Sequence, residues 1–193
     1  DRDLKQGLLS YPTQATQVMM NLIDSHDTFR YLESCDGDIS RLEMAVLFQM
    51  TYVGTPHIWY GDEVGMVGAH DPDCRRPFDW KYAEDPQKVA LRDHYKKLIK
   101  IRKENSCLRT GSFDTLVADG MLYGFLRADK EGAISVVINN DTKIHKIKIP
   151  INSDTALDLL TEKEYVSSGG FVEVELNAMS GIILKETTYK ENK

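Results

Sequence analysis

The sequence predicts a parallel α/β fold over residues 1–105, followed by a small all-β antiparallel sandwich over residues 106–193. Three observations carry this prediction. Apolar residues recur twice at helical spacing in the first half, and short apolar segments between those helices end at polar loops. From about Leu108 onward the spacing changes to period two, broken by turn residues. Strand, loop and helix in repetition is the pattern of a parallel sheet, whose reactive residues gather where the carboxyl ends of the strands meet the loops.

In chain order, residues 21–23 are the first expected strand. A helix follows at Ser40, which with Glu43 forms a capping-box signal. Leu42, Ala45, Val46, Gln49, Met50 and Val53 lie on its buried face, and Gly54 and Pro56 end it. Residues 57–60 are the second strand. Asp85-Pro86, a capping side chain before a first-turn proline, opens another helix with Leu91, Tyr95, Leu98 and Ile99 on one stripe. Its "KKLIKIRK" run reads as the wet side of that helix rather than as a nucleic-acid or membrane patch. In the second half, strands are expected within 121–128, 133–140, 145–150, 156–160, 171–176 and 180–186. Asp119-Gly120, Glu131-Gly132, Asn139-Asn140-Asp141 and Gly169-Gly170 supply the turns.

Composition narrows the function classes. Hydrophobic residues make up 41% and charged residues 28% of the 193 positions, which excludes fibrous and disordered classes. With 30 acidic groups against 24 basic ones the net charge is −6. That balance argues against a surface built to collect phosphates, so nucleic acid is not an expected partner. No apolar run approaches the ~18 residues of a membrane span. No charged-then-apolar leader opens the chain, although a sequence starting at Asp1 without Met reads as a piece of something longer. Cys35, Cys74 and Cys107 are odd in number and form no CxxC pair. Neither a disulfide framework nor a zinc knuckle is indicated, and reduced thiols in the cytoplasm are the expectation.

The chemistry is concentrated in two loops. Ser25-His26-Asp27 follows the first strand. Alone, the pair has two readings: an Asp accepting hydrogen bonds from nearby backbone amides with a His packed beside it, or a working carboxylate. Arg30 nearby favours an ionised Asp27. The second loop spans residues 54–80, where glycines at 54, 61, 65 and 68 bend the backbone. Asp62, Glu63, Asp71, Asp73, Arg75 and Arg76 supply charge there, and Trp59, Tyr60 and Trp80 supply flat apolar faces. Rings cover the apolar faces of pyranoses while charged forks hold their hydroxyls, so the collection fits a sugar-binding cleft. It fits equally a structural loop stapled by Asp–Arg pairs. The Asp and His spacings match no metal-ligand motif.

With "NLIDSHDTFR" at 21–30, "GTPHIWYGDEVGM" at 54–66 and "DPDCRRPFDW" at 71–80, in that order, the sequence resembles the α-amylase family of glycoside hydrolases. The resemblance is closest to its neopullulanase, cyclomaltodextrinase and maltogenic amylase branch, and the later β segments resemble that family's C-terminal domain. It implies a (β/α)8 barrel whose seventh and eighth strands are residues 21–23 and 57–60, closed by the helix near 87–104. A complete barrel takes roughly 250 residues, so the first half holds only the last two or three units. The implied activity is retaining hydrolysis of α-linked glucans by an Asp nucleophile and a Glu acid/base about 5 Å apart.

In that family the Asp of the His-Asp pair is neither of those two groups. It is a third carboxylate, binding sugar hydroxyls in the −1 subsite and stabilising the partly cationic ring, and Asp27 matches it. His26 matches the histidine that hydrogen-bonds the same sugar. Asp71 and Arg75 match residues lining the glycone side, Arg30 completes the expected substrate-binding set, and the Gly61-Asp62-Glu63 turn shapes the loop. Residues alone invite pairing Asp27 with Glu63 as nucleophile and acid; the resemblance denies it. The family's nucleophile lies in a G-x-R-x-D motif after an earlier strand and its acid after the next, and neither motif occurs here. An intact parent is therefore expected to cleave α-1,4 links in maltodextrins, cyclodextrins or pullulan, while this chain alone is expected to be inactive. No cofactor is required, and calcium is left open. The parent is expected to be a homodimer through an N-terminal domain. The chain alone is expected to self-associate or rearrange in its α/β part while the sandwich folds normally. Two alternatives stand beside this: a non-catalytic carbohydrate-binding or assembly module, and a glucosyl transferase or isomerase of the same family.

Overall fold

The structure is a computed structural model and describes residues 1–187. Two short helices, α1 (Arg2–Leu9) and α2 (Thr13–Val18), lead into strand β1 (Met20–Leu22), the single turn α3 (Tyr31–Ser34), helix α4 (Ile39–Thr51) and strand β2 (Thr55–His57). A long loop holding three 3-10 turns then reaches α5 (Pro86–Glu104) and α6 (Ser106–Thr110). The remainder is antiparallel: β3 (Asp114–Asp119), β4 (Leu122–Asp129), β5 (Gly132–Asn139), β6 (His145–Pro150), β7 (Thr155–Asp158), β8 (Glu164–Val166), β9 (Phe171–Leu176) and β10 (Ser180–Glu186).

Strands β1 and β2 pair in parallel, Met20 opposite Thr55 and Leu22 opposite His57. Both lie earlier than the spacing predicts, at 20–22 rather than 21–23 and at 55–57 rather than 57–60. Gly54 sets the register. Its φ is +107°, and a Cβ there would lie 2.6 Å from the Met19 carbonyl oxygen, so only glycine lets the Thr55 N–H reach that oxygen at 2.8 Å. The ladder ends with Leu22, which leaves residues 58–60 outside it.

Helix α4 buries Leu42, Met44, Val46, Leu47 and Met50. Its cap differs from the expected Ser40–Glu43 box: Asp38 is the N-cap and accepts the Ser40 N–H at 3.0 Å. Gln49, on the buried face, is not there for its apolar stem. Its amide donates to the carbonyls of Asn21 (3.0 Å) and His57 (2.8 Å), tying the helix to both strands. At the other end two buried guanidiniums cap the last carbonyls. Arg102 of α5 donates to Met50 (2.8 Å), Tyr52 (3.0 Å) and Gly54, and Arg127 of β4 donates to Thr51 (2.7 Å). Cations there satisfy the orphan carbonyls and oppose the negative end of the helix dipole. Burial lowers both arginines to about 10, so they stay charged at neutral pH. Helix α5 starts as expected, Asp85 accepting the Gln87 N–H at 2.9 Å with Pro86 in the first turn. Its lysines serve partly as a wet face, Lys96 pairing with Asp93 at 2.8 Å, but Lys97 reaches the carbonyl of Leu160.

The antiparallel strands form a six-stranded sheet in the order β3-β4-β5-β10-β7-β8 and a two-stranded sheet β6-β9. Strand β5 is buried along nearly its whole length. Ile134, Val136 and Ile138 face Leu47 of α4 and Leu98 of α5, while Val137 faces the other way, toward Ile149 of β6 and Val172 and Val174 of β9. Successive strand residues point to opposite faces, so one strand serves two cores. The core therefore does not divide at residue 105. Helix α6, which begins just after that position, packs on α5 as well as on β4 and β5. Strands β3 and β8 and helices α1, α2, α3 and α6 were not anticipated. The segment expected at 156–160 leaves the sheet after Asp158, whose carboxylate accepts the Leu160 N–H at 3.0 Å. Residues 188–193 of the expected second half lie outside the described residues.

Replacing Ile183, fully buried on β10 in the core shared with the helices, by Ala is expected to cost about 2–5 kcal/mol. Both tryptophans, Trp59 and Trp80, lie in the first half. Their fluorescence and far-UV circular dichroism should report one coincident urea transition in wild type and variant. Two separated transitions would show that the halves fold independently.

Candidate functional site

The turn after β1 is built by its own side chains. Ser25 N–H donates to Thr28 Oγ1 at 2.9 Å, and the Asp27 N–H donates to Ser25 Oγ at 3.3 Å. This local turn leaves His26 and Asp27 outside the packed core. Asp27 has a side chain 68% exposed; one oxygen lies 3.2 Å from His26 Nε2 and the other 3.3 Å from Arg75 Nη2. Arg75 comes from the loop after β2. Its Nε lies 2.9 Å from Asp71 Oδ1 and 3.0 Å from the carbonyl of His26. Four of the five residues singled out from the sequence thus meet: His26, Asp27, Asp71 and Arg75 form one solvent-facing cluster. The His26 ring sits 5.7 Å from the Trp59 ring, which places a flat face beside it.

Arg30 is the exception and corrects the expectation that it contacts substrate. It is 1% exposed. Its Nε donates to the Cys74 carbonyl at 3.1 Å, and Nη1 donates to the Tyr60 carbonyl at 2.6 Å and to Asp62 Oδ1 at 3.0 Å. The cation beside Asp27 is Arg75, and Arg30 neutralises a different carboxyl one layer below. The guanidinium also lies 4.8 Å from the Tyr60 ring centroid, a cation–π distance. Sequence spacing could not separate these roles, because position 30 is close to 27 in the chain yet on the far side of the turn.

The rest of the second loop fastens itself. Asp73 takes Arg76 through both oxygens (2.7 and 2.8 Å) and the Ala69 N–H at 2.8 Å. That N–H and then Arg76 hold the Asp73 carboxyl below its usual range. Glu63 accepts the Gly61 N–H at 2.7 Å, turned into its own loop. Trp80 is 81% exposed, its ring 4.8 Å from that of Phe78. Asp24, which the sequence leaves unassigned, and Asp62 of the loop-shaping turn are both buried. Burial and the neighbouring Asp24 push Asp62 up to about 8, against the pull of Arg30. Among the described residues no group of three His, Cys, Asp or Glu side chains is arranged to hold a metal ion. A groove of about 760 Å³ lined by Met20, Leu22, Phe48, Tyr52 and Tyr123 contains none of the four clustered residues.

The cluster brings together the residues that the resemblance to the alpha-amylase family assigns to one sugar site, at the carboxyl ends of two parallel strands. Residues 1–93 match the family described as alpha amylase, catalytic domain. Neopullulanase 2 of Thermoactinomyces vulgaris is 41% identical over 189 residues, covering 95% of this chain and 32% of that protein. A cyclomaltodextrinase of Thermoanaerobacter pseudethanolicus is 43% identical over 182 residues, covering 94% of this chain and 31% of its own. A solved cyclomaltodextrinase structure superposes with a TM-score of 0.84 at 37% identity, over 93% of this chain and 31% of that one. The chain spans about a third of the length of the curated relatives it matches.

Removing Arg30 leaves the buried Asp24 and Asp62 carboxyls without their cation, so Arg30→Ala is expected to lower unfolding stability by about 3–5 kcal/mol. The Arg75 pairs are solvent-exposed, and Arg75→Ala should change it by less than about 1 kcal/mol. Urea titration of both variants checks the contrast; equal losses would contradict the division into a buried support and an exposed site.

Proposed function

We propose that this chain supplies the third carboxylate of a retaining α-glucan hydrolase and forms the C-terminal part of that enzyme. In this reading residues 1–105 are the last units of a (β/α)8 barrel and residues 106–193 an antiparallel sandwich. The observation that carries it is the exposed junction of His26, Asp27, Asp71 and Arg75. It lies past the ends of two parallel strands, where barrel active sites are built. Asp27 accepts hydroxyls of the sugar in the −1 subsite and stabilises positive charge that develops on the ring as the glycosidic bond breaks. His26 binds the same sugar, while Arg75 both orients Asp27 and, with Asp71, holds glycone hydroxyls.

The nucleophile and the acid/base come from strands outside these 193 residues, so the chain alone performs neither the covalent step nor proton donation to the leaving oxygen. The neopullulanase and cyclomaltodextrinase relatives support α-1,4 links in maltodextrins, cyclodextrins or pullulan as the substrates. Val18, Met20 and Leu22 are exposed around β1. Their exposure supports earlier barrel units as their cover and self-association of the isolated chain, and the resemblance adds a homodimeric whole enzyme assembled through other parts. Cys35, Cys74 and Cys107 are buried and free, which supports a cytoplasmic setting.

In the complete enzyme, Asp27→Asn is expected to reduce kcat/KM on maltotriose by roughly 10²–10³, with an unchanged circular dichroism spectrum; near-normal turnover would refute the role. Calorimetry of the 193-residue chain with maltotriose up to millimolar concentration is expected to show no heat. A saturable signal would instead favour a carbohydrate-binding module.

A further inference from the structure

Beneath the exposed cluster lie two carboxyls and a guanidinium that the proposed chemistry leaves without a role. Asp24 is 3% exposed, Asp62 6% and Arg30 1%. Asp24 Oδ2 accepts the Tyr31 N–H at 2.6 Å, and Asp62 Oδ1 accepts from Arg30 at 3.0 Å. The carboxyls thus grip consecutive residues, and Asp24 is a close enough neighbour to raise Asp62. Asp24 Oδ1, Arg30 Nη2 and the Tyr95 hydroxyl have no hydrogen-bond partner among the described residues. The groups facing Asp62 are Asp24 and Arg30 from the turn after β1, Tyr95 from α5, and Glu63 beside it.

Two ionised carboxylates against one guanidinium would leave an uncompensated negative charge out of water, which low-dielectric surroundings penalise. One proton on Asp62 removes that excess, and the neighbouring Asp24 has a buried oxygen still lacking a donor. We propose that Asp24 and Asp62 hold a single proton between them at neutral pH, and that the resulting neutral node with Arg30 is the positioning device for Arg75 and Asp27. The node reaches the cluster through Arg30. Its Nε holds the carbonyl of Cys74, the residue before Arg75; its backbone N–H donates to Gly68 at 2.9 Å; and Cys74 Sγ donates to the His26 carbonyl at 3.2 Å. The link to hydrolysis rests on the reading of Asp27 given above, whereas the shared proton does not.

The direction of the pH dependence follows. Asp62 in the folded chain sits near 8, against about 4 for an unfolded aspartate. The native state therefore keeps a proton that the unfolded state releases. The node's contribution to stability is full below about 4, declines as the pH rises, and is lost once the pH passes the folded value.

The test is a carbon-13 titration of the aspartate carboxyls in the 193-residue chain. One carboxyl is expected to remain protonated at neutral pH and to release its proton near 8. In Asp62→Asn, whose amide N–H replaces the shared proton, that titration disappears and the fall in unfolding stability across the same range flattens. If every aspartate of the wild-type chain titrates at an ordinary value of about 4, the shared proton is overturned, whether or not the variant folds. Amide exchange at Cys74 and Arg75 tests the positioning. In the wild-type chain it should accelerate across the transition beyond the intrinsic effect of base, and in Asp62→Asn it should not; identical profiles overturn that half. Asp27→Asn should leave both measurements unchanged, so failure of the hydrolytic reading is distinguishable from failure of this one.

Discussion

A guanidinium shut away from water must find its acceptors in the protein, and Arg30 finds three, at Tyr60, Asp62 and Cys74, all in the loop after β2. That requirement fixes how far the turn after β1 stands from the loop after β2. The visible contacts of the cluster could not do so by themselves, because exposed ion pairs are screened and individually contribute little. Asp27, His26, Asp71 and Arg75 therefore owe their arrangement to a layer that no ligand would touch. The same logic operates at the far end of α4, where Arg102 and Arg127 converge on the last turn. In both places buried cations organise backbone carbonyls, and apolar packing fills in around them.

Much of the candidate site was legible because its chemistry is local. Asp27 stands beside His26, and Asp71 stands four residues from Arg75, so short spacing already places each pair within reach. What joins the two pairs is not local, since Arg75 meets Asp27 across 48 positions of chain. Arg30 misled for the same reason: nearness in sequence suggested a partnership that the turn prevents. Asp24 was silent, and Asp62 was legible only as loop charge in a shaping turn, because burial, not residue type, gives them interest. Nothing in a run such as "NLID" says which carboxyl will lose its water.

The fold divides similarly. Helices α4 and α5 carry enough buried positions for a 3.6-residue period to emerge, and β5 is apolar apart from Ser135 and Asn139 because both its faces are covered. Helices α1, α2 and α3 are shorter, eight residues at most, too brief for a period to stand out. Strand β3 has no fully buried position and so shows no clear alternation. The cap of α4 was placed two residues late because Ser40 has the right chemistry but serves as a donor to Asp38. Gln49 was assigned to the apolar face by spacing, and it does point inward, where its amide bridges two strands rather than filling space.

Strand β5 belongs to two interiors at once, one against α4 and α5 and one against β6 and β9. A change at one of its positions must suit neighbours on that side without shifting a backbone that the opposite side also holds. Exchanging the antiparallel region for that of a relative would therefore require the outward faces of α4 and α5 to travel with it. The seam for grafting runs around those helices, and a cut made by sequence number at the end of α5 would pass through the middle of a packed interior.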